Sequence, residues 1–220
     1  MGQLSLFLIL IISAATYRGC AVEQKLNYQS IDTEIEADPS ASYAVGVLDK
    51  REVVLKGNRD AKFVGYMRSG AGAAFPIGTV SDNNFADDIS VSLVRSIGKK
   101  GASAESVITD YKMSSDKVLS LLQATNSNKL LMITLIKWRS DTKPLGAWKV
   151  ATEMTYDLLL QVFDTGGKLL AENKVEGVEP GLNPSGAGTI KKIQELVNQQ
   201  YKEKIKTLFG DQAIIKSMKK

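Results

Sequence analysis

The stretch Leu130-Leu131-Met132-Ile133-Thr134-Leu135-Ile136 decides the fold, because it is apolar on both faces of a β-pleat. A strand of this kind must be covered on both sides, which is typical of a central strand in an α/β sheet. Val150 to Phe163 follows as a long strand, and Asp164-Thr165-Gly166-Gly167 then predicts a hairpin turn, because glycine tolerates the positive φ of tight turns. Residues 168–175 are expected to return as the partner strand.

Shorter strands and three helices are predicted around this sheet. Apolar runs at Tyr43–Asp49 and, more weakly, at 104–108 predict two strands. Apolar residues recur every three or four positions in residues 85–97, 118–122 and 190–205, which predicts amphipathic helices. The capping residues expected for the first two helices are Ser81 or Asp82 and Ser114 or Ser115.

The pattern as a whole predicts an α/β fold in one domain. Strand and helix patterns alternate over residues 42–210, a length that gives a domain a sizeable core. We expect a single two-layer domain with a mixed sheet of about five strands and two or three packed helices. Residues 20–41 are polar and acidic and predict a tether or a loosely attached first strand. Residues 211–220 contain Lys216, Lys219 and Lys220 and predict a basic tail.

The first twenty residues predict export and a lipid anchor. An uncharged apolar run, Leu4–Ile12, is too short to cross a hydrocarbon layer of ~30 Å and suits a signal peptide over residues 1–19. Cys20, the only cysteine, follows a glycine and is placed to become the lipidated first residue of a mature lipoprotein. Two alternatives stay open: secretion with cleavage after Ala15 or Ala21, and a buried N-terminal helix of a cytosolic protein.

The composition excludes several kinds of chemistry. The chain has no histidine and one cysteine, which rules out Ser–His and Cys–His triads, histidine-bearing zinc sites and CxxC redox motifs. With 28 basic and 24 acidic residues, the net charge of +4 is too small to indicate nucleic-acid binding. Asp87 and Asp88 are explained by a helix start, and Glu153 and Asp157 are expected to be solvated. We therefore expect no catalytic residue, no metal, no cofactor and no enzymatic activity.

A glycine-rich segment with aromatic side chains is the strongest candidate for a binding surface. Residues 56–84 match neither a Rossmann fingerprint nor a P-loop, and they predict a long surface loop that contacts a partner. Trp138 and Trp148 are expected to flank a second loop, where they either cap the sheet core or form an aromatic docking patch. The candidate partner-binding residues are Phe63, Tyr66, Met67, Phe75, Trp138 and Trp148.

Four short segments carry a family resemblance: Val47-Leu48-Asp49, Trp138-Arg139-Ser140-Asp141, Asp164-Thr165-Gly166-Gly167-Lys168 and Leu170-Ala171-Glu172. In this order, after a cysteine and a short polar segment, they resemble small Gram-negative envelope lipoproteins of the YajG type. The folded part of those proteins is similar to the N-terminal domain of TolB, and the resemblance covers most of residues 42–210. It implies a non-enzymatic component of the cell envelope.

The expected function is therefore that of a membrane-anchored envelope lipoprotein that binds or assembles with another envelope component. Acyl chains such as palmitate on Cys20 are expected to hold it on the periplasmic face of the outer membrane, and a soluble periplasmic or secreted protein is the alternative. Expected partners are outer-membrane lipid, another envelope protein and, as an alternative, further copies of the chain. The alternative functions are a periplasmic carrier of an apolar or glycan ligand and a carboxylate-dependent hydrolase.

Overall fold

A computed structural model describes residues 24–68, 73–81, 84–144, 150–180 and 190–219. This part of the chain forms a mixed α/β domain with one eight-stranded sheet and five helices. The strands are β1 (Gln24–Leu26), β2 (Ser42–Asp49), β3 (Phe63–Arg68), β4 (Ala74–Thr79), β5 (Ser103–Val107), β6 (Lys129–Pro144), β7 (Val150–Phe163) and β8 (Leu169–Pro180). The helices are α1 (Glu52–Leu55), α2 (Phe85–Gly98), α3 (Ser115–Gln123), α4 (Ile190–Phe209) and α5 (Gln212–Met218).

Strand β6 organises the sheet. One of its edges pairs antiparallel with β7 from Leu130 to Pro144, and β7 pairs in turn with β8. Its other edge is shared, because β2 runs parallel to residues 129–135 and β3 runs parallel to residues 140–142. The sheet therefore divides along β6 into a β2–β5 branch and a β3–β4–β1 branch.

The first half of β6 is buried on both faces, as its apolar run predicted. Leu131 and Ile133 belong to the larger core, which also holds the apolar sides of α2, α4 and α5. Leu130 and Met132 face the opposite way, into a smaller core closed by α3. Helices on both faces explain why neither set of β6 side chains is polar in this half.

The helix boundaries follow from their caps. Asn84 caps α2, since its side chain accepts a hydrogen bond of 2.9 Å from the backbone N–H of Asp87. The predicted cap at Ser81 or Asp82 is therefore wrong by two or three residues. Ser114 caps α3 as predicted, through a 3.3 Å hydrogen bond to the backbone N–H of Lys117.

Both ends of the described chain are part of the folded body: the N-terminal segment contains the first strand that was the alternative to a tether, and the predicted basic tail contains a helix. Strand β1 pairs parallel with β4, and Tyr28, Ile31 and Ile35 in the segment after it are buried in the larger core. At the other end, α5 buries Ile214 and Met218. The sheet reaches eight strands rather than about five partly because β1, β3 and β4 come from segments predicted to be tether and loop.

The segment predicted as a long glycine-rich loop contains a β-hairpin instead. Strands β3 and β4 pair antiparallel, and residues 69–72 between them lie outside the described part. Strand β4 was not predicted from the sequence because it contains Pro76, and proline has no N–H to donate to a neighbouring strand. The structure accommodates it where β1 does not reach, since β1 pairs with β4 only from Ile77 onward.

The loop predicted to start at Trp138 does not start there, because β6 continues as a strand to Pro144. A register shift between Leu135 and Lys137 inserts one extra residue into β6. Such a bulge reverses the alternation of the faces, so that Leu135 and Trp138 both face the larger core. After Leu135 the alternation of buried and exposed side chains is interrupted, which in a sequence is typical of the end of a strand, although β6 continues.

Candidate functional site

The division of the sheet creates an opening beside β6. Strand β2 ends at Asp49 and β3 begins at Phe63, so residues 136–139 of β6 have no strand partner on that edge among the described residues. The chain leaves β2 through a hydrogen bond of 2.8 Å from the backbone N–H of Lys50 to the carbonyl of Leu135. Helix α1 follows, and its residues Glu52 and Val53 lie beside the gap.

A groove of about 320 Å³ lies in this opening, and we call it the fork groove. Its volume is at the lower end of the range of roughly 300–1,000 Å³ that is typical of ligand sites. The β2–α1 connection forms one wall and the bulged part of β6 the other. The lining residues are Lys50, Arg51, Glu52, Val53, Phe63, Ile136, Lys137, Trp138, Arg139 and Thr155.

Arg51 connects the end of β2 to the start of β3 beside the groove. Its side chain is 2% exposed and forms a paired contact with Asp49, with Nε–Oδ1 at 2.9 Å and Nη2–Oδ2 at 2.7 Å. The remaining guanidinium hydrogens reach the carbonyls of Ala61 and Phe63, and the ring of Phe85 lies 5.2 Å from Cζ. Because its donors are used within the fold, Arg51 shapes the groove and is not available to a ligand.

Three other cations give the groove a positive character. Lys137 is exposed, Arg139 is half-exposed and contacts Asp141 with Nε–Oδ2 at 3.1 Å, and Lys50 donates to the carbonyl of Met113. The only carboxylate among the lining residues, Glu52, is paired with Lys56. The ionised groups at the rim therefore favour an anion.

The floor of the groove is apolar. Phe63 and Trp138 line it although they are only 4% and 2% exposed, and Val53 at 37% offers more surface. Trp138 belongs to a buried cluster of rings with Tyr28, Phe85 and Tyr201. Its position agrees with the interpretation of Trp138 as a core residue, and it leaves a ligand only a small part of the indole.

The structure does not bring the predicted hairpin residues together on one surface. The Phe63 and Tyr66 rings lie 4.9 Å apart on one face of the hairpin, where Arg59 stacks on both and donates to the Tyr66 hydroxyl at 3.0 Å. Met67 and Phe75 are cross-strand partners, so they share the other face, and Met67 packs against the larger core. Phe63 thus lines the fork groove and Tyr66 packs against it, whereas Met67 and Phe75 lie on the other face of the hairpin.

The remaining predicted site residues, Cys20 and Trp148, lie outside the described part of the chain. Lys50, Lys137 and Arg139 were not predicted as site residues. Lys50 is 87 positions before Lys137 in the sequence, and no motif connects them. Only the bulge in β6 and the gap after β2 place them around one opening.

Asp88 has a structural role that the helix-start explanation missed. Its carboxylate is buried and accepts hydrogen bonds from Gln29 at 2.8 Å, from Thr79 and from Ser81. It therefore connects the N-terminal segment, the end of β4 and α2. Burial raises the pKa of Asp88, and it also raises that of the neighbouring Asp87, with a contribution from the Asp88 charge. Neither carboxyl lines the fork groove.

The second acidic pair also differs from expectation. Asp157 is 5% exposed, and the ammonium of Lys174 lies 3.4 Å from its Oδ1, so it is not the solvated residue that was predicted. Within the described ranges, no group of three or more cysteine and acidic side chains is arranged to hold a metal ion. No helix in the same ranges is both long enough and apolar enough to cross a membrane.

Comparisons with known proteins find partial structural likenesses. No protein-family model and no curated protein matches the sequence. A Xanthomonas campestris protein of family DUF330 is 14% identical, with 84% of this chain and 94% of that chain covered and a TM-score of 0.48. A putative neuraminyllactose-binding hemagglutinin homolog from Helicobacter pylori is 9% identical, with 88% of this chain and 96% of that chain covered and a TM-score of 0.41. A PelC dodecamer subunit from Paraburkholderia phytofirmans is 13% identical, with 79% of this chain and 92% of that chain covered and a TM-score of 0.36. At these identities and TM-scores, no function follows from the likenesses.

Proposed function

We propose that this chain is a non-enzymatic binding module of the cell envelope that docks an acidic segment of another envelope protein in the fork groove. The observation that carries the proposal is the combination of a cationic rim and an apolar floor in one opening. Lys50, Lys137 and Arg139 attract carboxylates, and Val53 and Ile136 offer apolar contact between them. An acidic protein segment with apolar side chains matches both features.

The location in the envelope rests on the N-terminal sequence. A lipidated Cys20 anchors the mature chain on the periplasmic face of the outer membrane, since two or more acyl chains bind a bilayer stably and a single chain does not. Strand β1 begins at Gln24, four residues after Cys20, so the anchor holds the domain close to the membrane surface. Intact-mass analysis of the mature protein tests this part: a free thiol, or an N-terminus beyond Cys20, excludes the anchor.

The two alternative functions make different demands on the same groove. A carrier of an apolar ligand needs little from the cations, so its binding would persist when the charges at Lys137 and Arg139 are removed. A carboxylate hydrolase needs two acids facing one cleft, and Glu52 is the one acidic residue among the described residues that line the fork groove. The cationic rim favours the docking of an acidic segment over both alternatives.

A photo-crosslinking amino acid at Val53 tests the docking proposal in the cells that produce the protein. Val91 on α2 is the matched control, because it is also a valine, is 38% exposed against 37% for Val53, and does not line the groove. We expect a specific envelope protein to be captured from Val53 and not from Val91. Mass spectrometry should map the crosslink to an acidic segment of that protein.

Charge neutralisation then tests the electrostatic part. The double variant Lys137→Gln/Arg139→Gln should lower the yield of the Val53 crosslink by about tenfold, as expected for the loss of roughly 1.4 kcal/mol of binding. The control Lys117→Gln/Lys202→Gln removes two exposed charges elsewhere and should leave the yield unchanged. Equal capture from Val91, or an unchanged yield in the groove variant, would exclude the proposal.

A further inference from the structure

Strand β8 forms a long edge of the sheet. It contains 12 residues, and its one strand partner within the described part of the chain is β7. The backbone groups on its outer side therefore have no strand partner among the described residues. Exposed edges of this length are sites where a further strand can add to a sheet.

The side chains of β8 leave this edge accessible. Those on one face are exposed, among them Glu172, Lys174, Glu176 and Val178. Those on the other face are mostly half-buried beside α4 and α5, where the amide of Asn173 donates to the carbonyl of Leu208 at 2.8 Å. The helix layer therefore reaches β8, while the face that carries the charges stays open.

We propose that β8 pairs with β8 of a second copy of this chain, antiparallel and with the two-fold axis at Val175. In this register Lys174 faces Glu176 of the other copy, twice, and Glu172 faces Val178. Every residue from 170 to 180 then has a partner. The arrangement joins the two eight-stranded sheets into one continuous sheet.

The charges and the length of the strand together select this register. An axis at Asn173 would also place Lys174 opposite Glu172, but it pairs only residues 169–177 and leaves Val178–Pro180 without partners. A two-fold axis at Lys174 would place that residue opposite itself and Glu172 opposite Glu176, and like charges directly opposite each other destabilise a pair of strands. An axis at Glu176 would place two glutamates together. Within one copy, Lys174 already lies 2.6 Å from Glu176 and 3.4 Å from Asp157, so the second copy extends an existing alternation of charge.

Charge reversal separates pairing between copies from effects within one copy. Lys174→Glu alone places four glutamates around the axis, and Glu176→Lys alone places four lysines there. Each single variant should raise the dissociation constant of the dimer about tenfold in sedimentation velocity on the full chain in detergent. An equimolar mixture of the two variants should restore the dimer, because each copy then faces opposite charges.

Disulfide trapping tests the register directly. Val175→Cys should form a crosslinked dimer under mild oxidation, because the two residues at the axis are direct cross-strand partners. Val178→Cys is the control: it is 61% exposed on the same strand, but the two positions would lie about 20 Å apart, six residues at ~3.4 Å each. The wild-type chain controls for Cys20.

Three outcomes would overturn this proposal: a wild-type chain that stays monomeric at about a hundred micromolar, a mixture of the two reversals that fails to associate, or trapping through position 178 rather than 175. No residue of β8 lines the fork groove, although the charge of Lys137 acts on Glu176 across the sheet. Trapping through Val175→Cys changes no charge, so it tests the dimer separately from the groove. Dimerisation and groove binding can therefore fail separately.

Discussion

The indole Nε1 of Trp138 donates a hydrogen bond of 3.2 Å to the hydroxyl of Tyr28, in the interior of the larger core. The two residues are 110 positions apart, and they join the N-terminal segment to the second half of β6. The ring of Tyr28 also lies 4.6 Å from Phe85 and 5.5 Å from Tyr201. The segment that follows β1 is therefore an integral part of the core, directly behind the floor of the fork groove.

This contact predicts that Tyr28 is essential for stability. Tyr28→Phe should lower the free energy of unfolding by about 1–3 kcal/mol, because the buried Nε1 of Trp138 is left without its acceptor. Tyr28→Ala should cost roughly 3–5 kcal/mol, as is usual for large-to-small changes in a core. Urea denaturation measures both. Tyr111→Phe, at a half-exposed turn before α3, is the control, and a similar loss there would contradict the explanation.

Part of this architecture could be predicted from the sequence. The apolar run in β6, the four-residue spacing in α2 and the Asp164–Gly167 turn each report a local property, and each was confirmed. Hydrophobic periodicity did not predict the structure of segments whose conformation depends on contacts with residues distant in the sequence. Tyr28 lies in an acidic segment with the composition of a tether, and long-range contacts such as those with Trp138 and Phe85 explain why that segment folds into the core.

The fork groove was not predictable, for a related reason. Phe63 and Trp138 were selected from the sequence as aromatic residues in loops, and both line the groove, but they do so as residues of strands. The bulge after Leu135 and the end of β2 at Asp49 determine where the opening lies. Neither feature has a sequence signal that is independent of the partner strand.

The close approach of β3 to β6 predicts a sharp difference between two glycines. A Cβ added to Gly65 would lie 1.9 Å from the carbonyl oxygen of Ser140, which is backbone and cannot move away. Gly65→Ala should therefore cost about 3 kcal/mol or more of stability. Gly57, with φ of +70° and no atom within 4 Å of its added Cβ, is the control, and Gly57→Ala should cost about 1 kcal/mol. Thermal melts with equal losses would contradict this contact.

Asp88 predicts a specific pH dependence. Burial raises its pKa in the folded state, so the folded chain holds this proton more tightly than the unfolded chain does. Its contribution to stability is then largest below the unfolded pKa of about 3.9 and is lost as the pH rises through the folded pKa. Asp88→Asn stays neutral and keeps an acceptor for Gln29 and Ser81. We expect the variant to gain stability relative to wild type as the pH is raised from about 4 to 7.

Denaturant unfolding at several pH values measures that difference. Asp116→Asn removes an exposed carboxylate in the first turn of α3 and serves as the control for the loss of one negative charge. A free-energy difference between Asp88→Asn and wild type that does not change over this range, or that changes in the opposite direction, would contradict the role of burial.

The two faces of the β3–β4 hairpin predict that its aromatic residues are not equivalent in binding. Tyr66 packs against Phe63, which lines the fork groove, whereas Phe75 lies on the other face. Both are partly exposed, so Tyr66→Ala and Phe75→Ala should each cost about 1–2 kcal/mol of stability, less than the roughly 3–5 kcal/mol expected for the buried Phe63→Ala. Tyr66→Ala should lower the Val53 crosslink about thirtyfold, because truncation of interface aromatics commonly costs about 2 kcal/mol. Phe75→Ala should leave that crosslink unchanged, and an equal loss in both variants would show that the docking surface is not confined to the groove side of the hairpin.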